Sequence, residues 1–560
     1  MFGVGVDRID RVVLIGFSGT GKSTIATMLA DLLGWAAIDI DAEIERDWNK
    51  SIPAIFRENG ETAFRERERS ILGRAIQARQ AVIATGGGVP AQPGAWEPGL
   101  LGNPNTLVVA VDALPSTLLE RLQNQAEAEG EAVERPMLEG PNPLRRIVEL
   151  KQDRQSAYDA AHLTISTEGV VPASVATELA SVVKLMNGTA LHHRLEAPSG
   201  ASDIFVGSGS IARLGDLARQ RWTSAGKAWV VTDDRVGPLH GEAVSQALRD
   251  GGFAVSSMSV AHGEGSKSLG TLGAVYDWML GAGIERGHIV VALGGGVIGD
   301  LVGFAAATVL RGVGFVQAPT TLLAAVDSSI GGKTGVNHAA GKNLIGAFLQ
   351  PPLVVVDPNL LRTVPDRELR SGWGEVVKHA MIQRTTPGGS RNDLTALLSR
   401  NSQQLSDLED PALSYAIWRN IRLKGAVVEA DEREAGIRAF LNFGHTLGHA
   451  IEASDYQLLH GEAVAVGMRA ESLLGAKVNT CTLEDVGQLT ALVRQFCLPV
   501  AAAFDRREVL ARMGSDKKRV AGRQRFVLPL SGGGVTIRDD VPTAAVEAAL
   551  DEVAMADAAP

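Results

Sequence analysis

The chain has 560 residues, enough for three or four globular units at roughly 100–200 residues each. With 45% hydrophobic and 21% charged residues it has the balance of a well-cored protein, not a disordered one. Its 54 basic against 64 acidic side chains, a net charge of −10, argue against nucleic acid or an anionic membrane as partner, and two cysteines, Cys481 and Cys497, are too few for a disulfide scaffold or a thiolate zinc site.

The opening MFGVGVDRID lacks the basic and apolar regions of a signal peptide, so a reducing, cytoplasmic setting is expected. RVVLIGF (from Arg11), then SGTGKS, then TIATMLADLLG reads as strand, glycine loop, helix. AVIATGGGVP (from Ala81) and NTLVVAVDA (from Asn105) repeat the theme, which predicts a parallel sheet with crossover helices. Residues 123–143, acidic and rich in Gly and Pro, read as a flap. A helix ending at Asn187-Gly188 marks the first boundary. Beyond it KAWVVTDD (from Lys227), HIVVALGGGVIGD (from His288) and PLVVVDPN (from Pro352) are apolar strands of a second α/β region. The window from His288 to Arg311 is interrupted by Asp300 and glycines, so a buried strand, loop and helix fit it better than a membrane span. From about Thr363 helical periodicity dominates, with one small late strand, QRFVLPL (from Gln524).

The run from Gly16 to Ser23 is a full phosphate-loop pattern, GxxxxGKS, set between a strand and a helix. Backbone N–H groups of Gly19, Thr20, Gly21, Lys22, Ser23 and Thr24 can wrap phosphates. Lys22 can reach the terminal ones, and Ser23 can bind magnesium. Five further features narrow the substrate. Asp39-Ile-Asp41, read as a strand end, puts two carboxylates on one side, one for magnesium and one for a substrate hydroxyl. Gly60-Glu61-x-x-Phe64-Arg65 starts a helix and offers a guanidinium. Gly86-Gly87-Gly88 permits close ligand approach, Arg135-Pro136 lies in the flap, and Arg154 precedes Tyr158 by one helical turn. Each is commonplace alone; together, in this order, over residues 11–180, they resemble shikimate kinase. The resemblance implies Asp39 near magnesium, with Asp41, Arg65, Gly87, Gly88 and Arg154 holding shikimate. It makes Lys22, Asp41 and Arg135 the catalytic groups, Arg135 as a lid arginine beside the transferring phosphoryl. The flap departs from the family in being longer and acidic.

In the second half, Gly294-Gly295-Gly296-Val-Ile-Gly299-Asp300 follows a strand and opens a helix, without the common GxGxxG. Asp233 ends a strand as a ribose contact would. Glu375, His445 and His460 form a two-His, one-Glu set of the kind that holds catalytic zinc, with His449 one turn from His445. Around them lie Lys333, Lys342, Asn343, Lys378, Lys424, Arg438 and Asn442, cations and amides in apolar or glycine-rich contexts that call for an anionic ligand.

From about His192 onward the sequence resembles 3-dehydroquinate synthase. The resemblance implies zinc (or cobalt) on Glu375, His445 and His460. NAD would lie on Asp233, Glu264, Lys267, Gly295, Gly296, Asp300, Thr320, Thr321 and Thr363. Asp327, Lys333, Lys378, Lys424, Arg438, Asn442 and His449 would line the substrate site, helped by Arg311, Lys342, Asn343 and either Lys517 or Lys518. The implied reaction is oxidation of a ring alcohol by NAD, loss of phosphate, return of the hydride and aldol closure. The expected organisation is a P-loop domain over residues 1–186, a linker 187–191, an NAD-binding α/β domain 192–361 and a mostly helical metal domain 362–560. Dimerisation through the second half is expected from the resemblance. Rival readings are a cyclase for another sugar phosphate, a metal-dependent alcohol dehydrogenase, a different small-metabolite kinase, and a nucleotide-sensing module without turnover.

Overall fold

The computed structural model describes residues 8–129, 142–387, 393–454, 457–514 and 524–555. Arg135, Lys517 and Lys518 lie outside them. The chain divides into two compact units, residues 1–189 with 399–412, and residues 190–398 with 413–560.

The first unit is built on a five-stranded sheet of β1 (Arg11–Ile15), β2 (Ala36–Asp39), β3 (Ala81–Ala84), β4 (Thr106–Asp112) and β5 (Leu163–Ser166), in the order β2-β3-β1-β4-β5. All its pairings are parallel. β1 and β3 are buried at every position, as continuous apolar strands covered on both faces must be. With β1 central, its carboxyl end opens into the crevice where ligands bind in such sheets. Two local expectations are corrected. Asp41 is not on a strand: Asp39 ends β2 and its carboxylate accepts the Ala42 amide at 3.2 Å, capping the helix Ile40–Trp48, so Asp41 stands in that helix's first turn. The start of the supposed flap is helical, because residues 123–129 complete the helix Pro115–Glu129.

The second unit carries a seven-stranded sheet. Its strands are β6 (Leu191–Ala197), β7 (Gly200–Val206), β8 (Lys227–Asp233), β9 (Ala254–Val260), β10 (Ile289–Gly294), β11 (Gly314–Pro319) and β14 (Leu353–Val356), ordered β6-β7-β14-β11-β10-β8-β9. Only the β6–β7 pair is antiparallel. A separate hairpin, β12 (Lys333–His338) with β13 (Gly341–Phe348), escapes a hydrophobicity reading because β13 is largely exposed. Downstream the unit is helical apart from β15 (Phe526–Pro529), the late strand, and its antiparallel partner β16 (Val535–Arg538). The window after His288 is β10 followed by the helix Gly296–Thr308. Among the described residues no helix is long and apolar enough to cross a membrane.

Candidate functional sites

In the first unit β1 delivers the chain to a loop in which Gly16, Gly19 and Gly21 have φ of 135°, 84° and 89°. A Cβ on Gly16 would stand 2.2 Å from the Val111 carbonyl oxygen, so only glycine lets the loop pass β4. Lys22 Nζ donates to the Gly16 and Phe17 carbonyls at 2.9 and 2.8 Å, across the loop mouth. Burial lowers its pKa to about 8 against the pull of Asp41 and Asp39. Burial, with Glu68 and Asp39 adding negative charge, raises Asp41 to about 6. Ser23 and Thr24 are exposed at the start of the helix Lys22–Leu33.

Beside the loop, a cleft of about 430 Å³ is lined by Arg65, Arg69, Gly88, Gln92 and Arg154, among others. Gly60, with φ 78°, breaks the helix Ile52–Ala75, so the turn carrying Arg65 starts afresh after it. Arg65 donates to Glu68 Oε2 at 2.7 Å, and Gln92 reaches the same oxygen at 2.5 Å. A Cβ on Gly88 would lie 2.8 Å from the Arg65 guanidinium, so a side chain there would push Arg65 from this position. Tyr158 donates to the Gly87 carbonyl at 2.7 Å, and the Arg154 guanidinium lies 5.7 Å from the centre of the Phe17 ring. The geometry therefore joins Lys22, Asp39, Asp41, Arg65, Gly87, Gly88 and Arg154. It adds Glu68, Arg69 and Gln92, of which only the Arg65–Glu68 spacing of three was a visible signal.

In the second unit the helices Asp366–Ile382, His445–Ser454 and His460–Lys477 bring three side chains together. Glu375 Oε1 lies 3.4 Å from His445 Nε2 and 3.3 Å from His460 Nε2. His449 completes a tight imidazole group, with ring centroids 5.0 and 5.5 Å from His445 and His460. Glu375 Oε1 is buried between the two imidazoles without a hydrogen bond of good geometry, an arrangement suited to a cation, while Oε2 contacts Lys378. His445 Nδ1 faces the Phe443 carbonyl at 3.1 Å and His460 Nδ1 faces Glu452 at 3.3 Å. Each contact fixes the proton on Nδ1 and leaves Nε2 as the donor to a metal. Despite burial, Glu375 and Glu452 hold His460 up to about 9. The close approach is permitted by Gly461, whose Cβ would meet the Ser371 carbonyl oxygen at 1.8 Å.

Next to this trio the cations cluster. Lys378 contacts Glu375 and lies 3.8 Å from Asp327, while Lys424 donates to the Asp327 carbonyl at 2.6 Å and contacts its carboxylate. Burial pulls Lys424 down to about 8, with Asp327 opposing, and although burial disfavours its charge, Lys424 and Lys378 hold the Asp327 carboxyl far below its usual range. Arg438, 3% exposed, donates to the Gly331 carbonyl at 3.1 Å. Lys333 contacts Glu434, which accepts from Asn442 at 2.7 Å, and Lys342 pairs with Glu452 at 3.0 Å. Asn343 (φ 56°) follows Lys342 on β13. Glu434, Glu452 and the buried His379 are site residues that sequence reasoning missed; no motif flags them.

At the carboxyl ends of β8 and β10, where chain direction across the sheet reverses, lies the third group. The Asp233 carboxylate accepts the Arg235 and Val236 amides at 2.9 and 2.8 Å. Lys267 pairs with Asp300 at 2.5 Å, Glu264 accepts from Asn337 at 2.6 Å, and Thr363 bonds His240 at 2.8 Å. A Cβ on Gly295 would come 3.2 Å from Thr321, one on Gly296 3.0 Å from Ser328, and Thr320 Oγ1 is buried without a partner. This bare-backbone cradle at a helix start, with an orphaned hydroxyl, fits a dinucleotide. Arg311, exposed before β11 with φ 68°, takes no part in these contacts.

Residues 18–184 match the family model described as Shikimate kinase. Residues 257–371 and 372–519 match 3-dehydroquinate synthase N-terminal and C-terminal. The 3-dehydroquinate synthase of Synechococcus sp. (strain ATCC 27144) is 41% identical over 362 residues, 64% of this chain and 97% of the relative. That of Caulobacter vibrioides is 42% identical over 363 residues, 63% of this chain and 96% of the relative. Among solved structures, ValA (2-epi-5-epi-valiolone synthase) from Streptomyces hygroscopicus with NAD+ and Zn2+ bound is 28% identical. It aligns at a TM-score of 0.57 over 63% of this chain and 96% of its own. A 2-deoxy-scyllo-inosose synthase complexed with carbaglucose-6-phosphate, NAD+ and Co2+, at 23% identity and TM-score 0.57 over 65% of this chain and all of its own, shares the fold. The chain belongs to the 3-dehydroquinate synthase family over its larger part and carries a shikimate kinase domain at its N-terminus, a bifunctional enzyme of the shikimate pathway.

Proposed function

We propose that the first unit phosphorylates shikimate with ATP and magnesium, and that the second converts 3-deoxy-D-arabino-heptulosonate 7-phosphate to 3-dehydroquinate. The observation that carries the second half is the buried Glu375–His445–His460 trio set against the buried cations Lys378, Lys424 and Arg438. A dehydrogenase acting on an uncharged alcohol has no anion to offer those cations. Relatives above 40% identity over nearly their whole length also favour this substrate over that of the valiolone synthase at 28%.

In the kinase, Lys22 and the loop amides neutralise the phosphates, with Ser23 and Asp39 as magnesium ligands. Asp41 accepts the proton of the attacking hydroxyl, and its raised pKa makes it a better base than a solvated carboxylate. Arg65 and Arg154 grip the substrate carboxylate as planar forks. Arg135 from the lid completes the charge stabilisation.

In the synthase, Glu375, His445 and His460 would hold zinc or cobalt, and Asp233, Glu264, Lys267, Gly295, Gly296, Asp300, Thr320, Thr321 and Thr363 the NAD. When bound, the metal polarises the substrate alcohol oxygen and NAD takes and returns a hydride. Lys333, Lys342 and Arg311, with either Lys517 or Lys518, neutralise the phosphate, and Asn343, Asn442 and His449 orient it. Lys378, Lys424 and Arg438 hold the carboxylate end, and Asp327 keeps Lys378 and Lys424 in place. Rigid seating of the opened intermediate directs the closing aldol step.

The test is phosphate release from 3-deoxy-D-arabino-heptulosonate 7-phosphate by the full chain with NAD and zinc. Release with a carbocyclic product, abolished by chelator, is expected; no release while another sugar phosphate turns over would replace the substrate assignment. For the kinase, ATP consumption must rise on adding shikimate. The synthase half is also proposed to dimerise, so sedimentation should give twice 58.9 kDa.

A further inference from the structure

Residues 399–412 follow more than two hundred residues of the second unit, yet they belong to the first. The first sheet ends at β5, which pairs with β4 on its inner side only. A strand in that position presents unpaired N–H and C=O groups on its outer side. Here the Thr164 amide donates to Asn401 Oδ1 at 2.7 Å, and Asn401 Nδ2 donates back to the Thr164 carbonyl at 2.9 Å. One carboxamide thus supplies the two-bond pairing that a neighbouring strand would give. Asn401 is 0% exposed and Thr164 4%. On one side Gln404 Nε2 donates to the Ala161 and Asp159 carbonyls at 3.1 and 3.3 Å, where the helix Pro143–Asp159 runs into β5. On the other, Arg400 Nε donates to Asp112 at 3.2 Å, at the end of β4. Leu405, next in sequence after Gln404, is fully buried.

We propose that residues 399–412 are a built-in edge cap of the kinase sheet, so that the β5 edge is a surface whose partner is this chain's own strap. Three side chains within five positions satisfy backbone or charge on three successive features of the kinase. A carboxamide buried this deeply would be costly were its two ends not both engaged. The strap also touches the frame of the nucleotide site. The Asp112 carbonyl accepts the Thr167 amide at 2.8 Å, and the Thr167 hydroxyl accepts from Arg121 at 2.9 Å.

Hydrogen–deuterium exchange on the full chain tests this without reference to any substrate. In Asn401→Ala, peptides covering residues 159–167 should exchange roughly tenfold faster, the effect of removing one partner from a buried amide. Peptides covering residues 227–233 and 289–294 of the second sheet should be unchanged. Gln404→Ala, at a half-buried position, should raise exchange in the same peptides to a smaller degree. The midpoint of kinase heat inactivation should fall by roughly 2–4 °C in Asn401→Ala while that of the synthase stays. Unchanged exchange over 159–167 in both variants, or an equal rise in both sheets, overturns the proposal. If Asn401→Ala does not accumulate as folded protein, Gln404→Ala and Arg400→Ala carry the same test.

Discussion

Asp41 and Lys22 are displaced in opposite directions by the same burial, to about 6 and about 8. The phosphoryl transfer proposed above uses the carboxylate of one and the ammonium of the other. A raised acid pKa removes the carboxylate as pH falls through about 6, and a lowered amine pKa removes the ammonium as pH rises through about 8. We therefore expect kcat/KM for shikimate to fall below pH about 6 and kcat/KM for ATP to fall above about 8, with Asp41→Asn flattening the acid limb at a much lower rate. In the synthase, Glu452 steadies His460 from its far side at 3.3 Å. Glu452→Gln should weaken metal affinity roughly 10–100-fold, the usual cost of losing such a partner, measured by chelator competition. Residues like Glu452, Glu434 and Glu68 were illegible in the sequence because their meaning lies entirely in what folds against them. The phosphate loop was legible because its pattern needs fixed residue types at fixed spacing, and His445, His449 and His460 because they fall within sixteen residues, whereas Glu375 lies seventy residues before them.

Elements place these residues through close backbone approaches more than through rigid side chains. Gly88 admits the Arg65 guanidinium where a methyl group would sit 2.8 Å from it. Gly88→Ala should raise the KM for shikimate by about tenfold or more while leaving the KM for ATP unchanged, since a displacement of about 1 Å at a positioning group costs up to 10²-fold. Steady-state kinetics with each substrate varied would show it. Strong apolar strands such as β1, β8, β10 and β14 are readable from sequence because both their faces are covered. The hairpin β12–β13 is not, since its glycine-rich strands are held by pairing with each other and its outer strand is exposed. The same holds for Asp41: apolar alternation suggested a strand, but the capping bond of Asp39 starts a helix one residue sooner.

At the scale of the whole molecule the two chemistries occupy separate units. Lys22→Ala should lower shikimate phosphorylation by on the order of 10²–10³-fold and leave the cyclase rate intact. His460→Ala should release the metal and do the reverse; assaying both activities on each purified variant checks it. The boundary near residue 189 could be read from Asn187-Gly188. The return of residues 399–412 to the first unit could not, because Asn401 looks like any polar residue between two helices until its carboxamide is seen against Thr164. That return has a consequence during synthesis. Ala190 to Leu398 must be translated between the two stretches that make the first unit. At about 5–20 residues per second this takes roughly 10–40 s. For that interval the nascent kinase sheet emerges from the ribosome with β5 uncapped, and its last hydrogen bonds form only when the polypeptide is nearly three-quarters made.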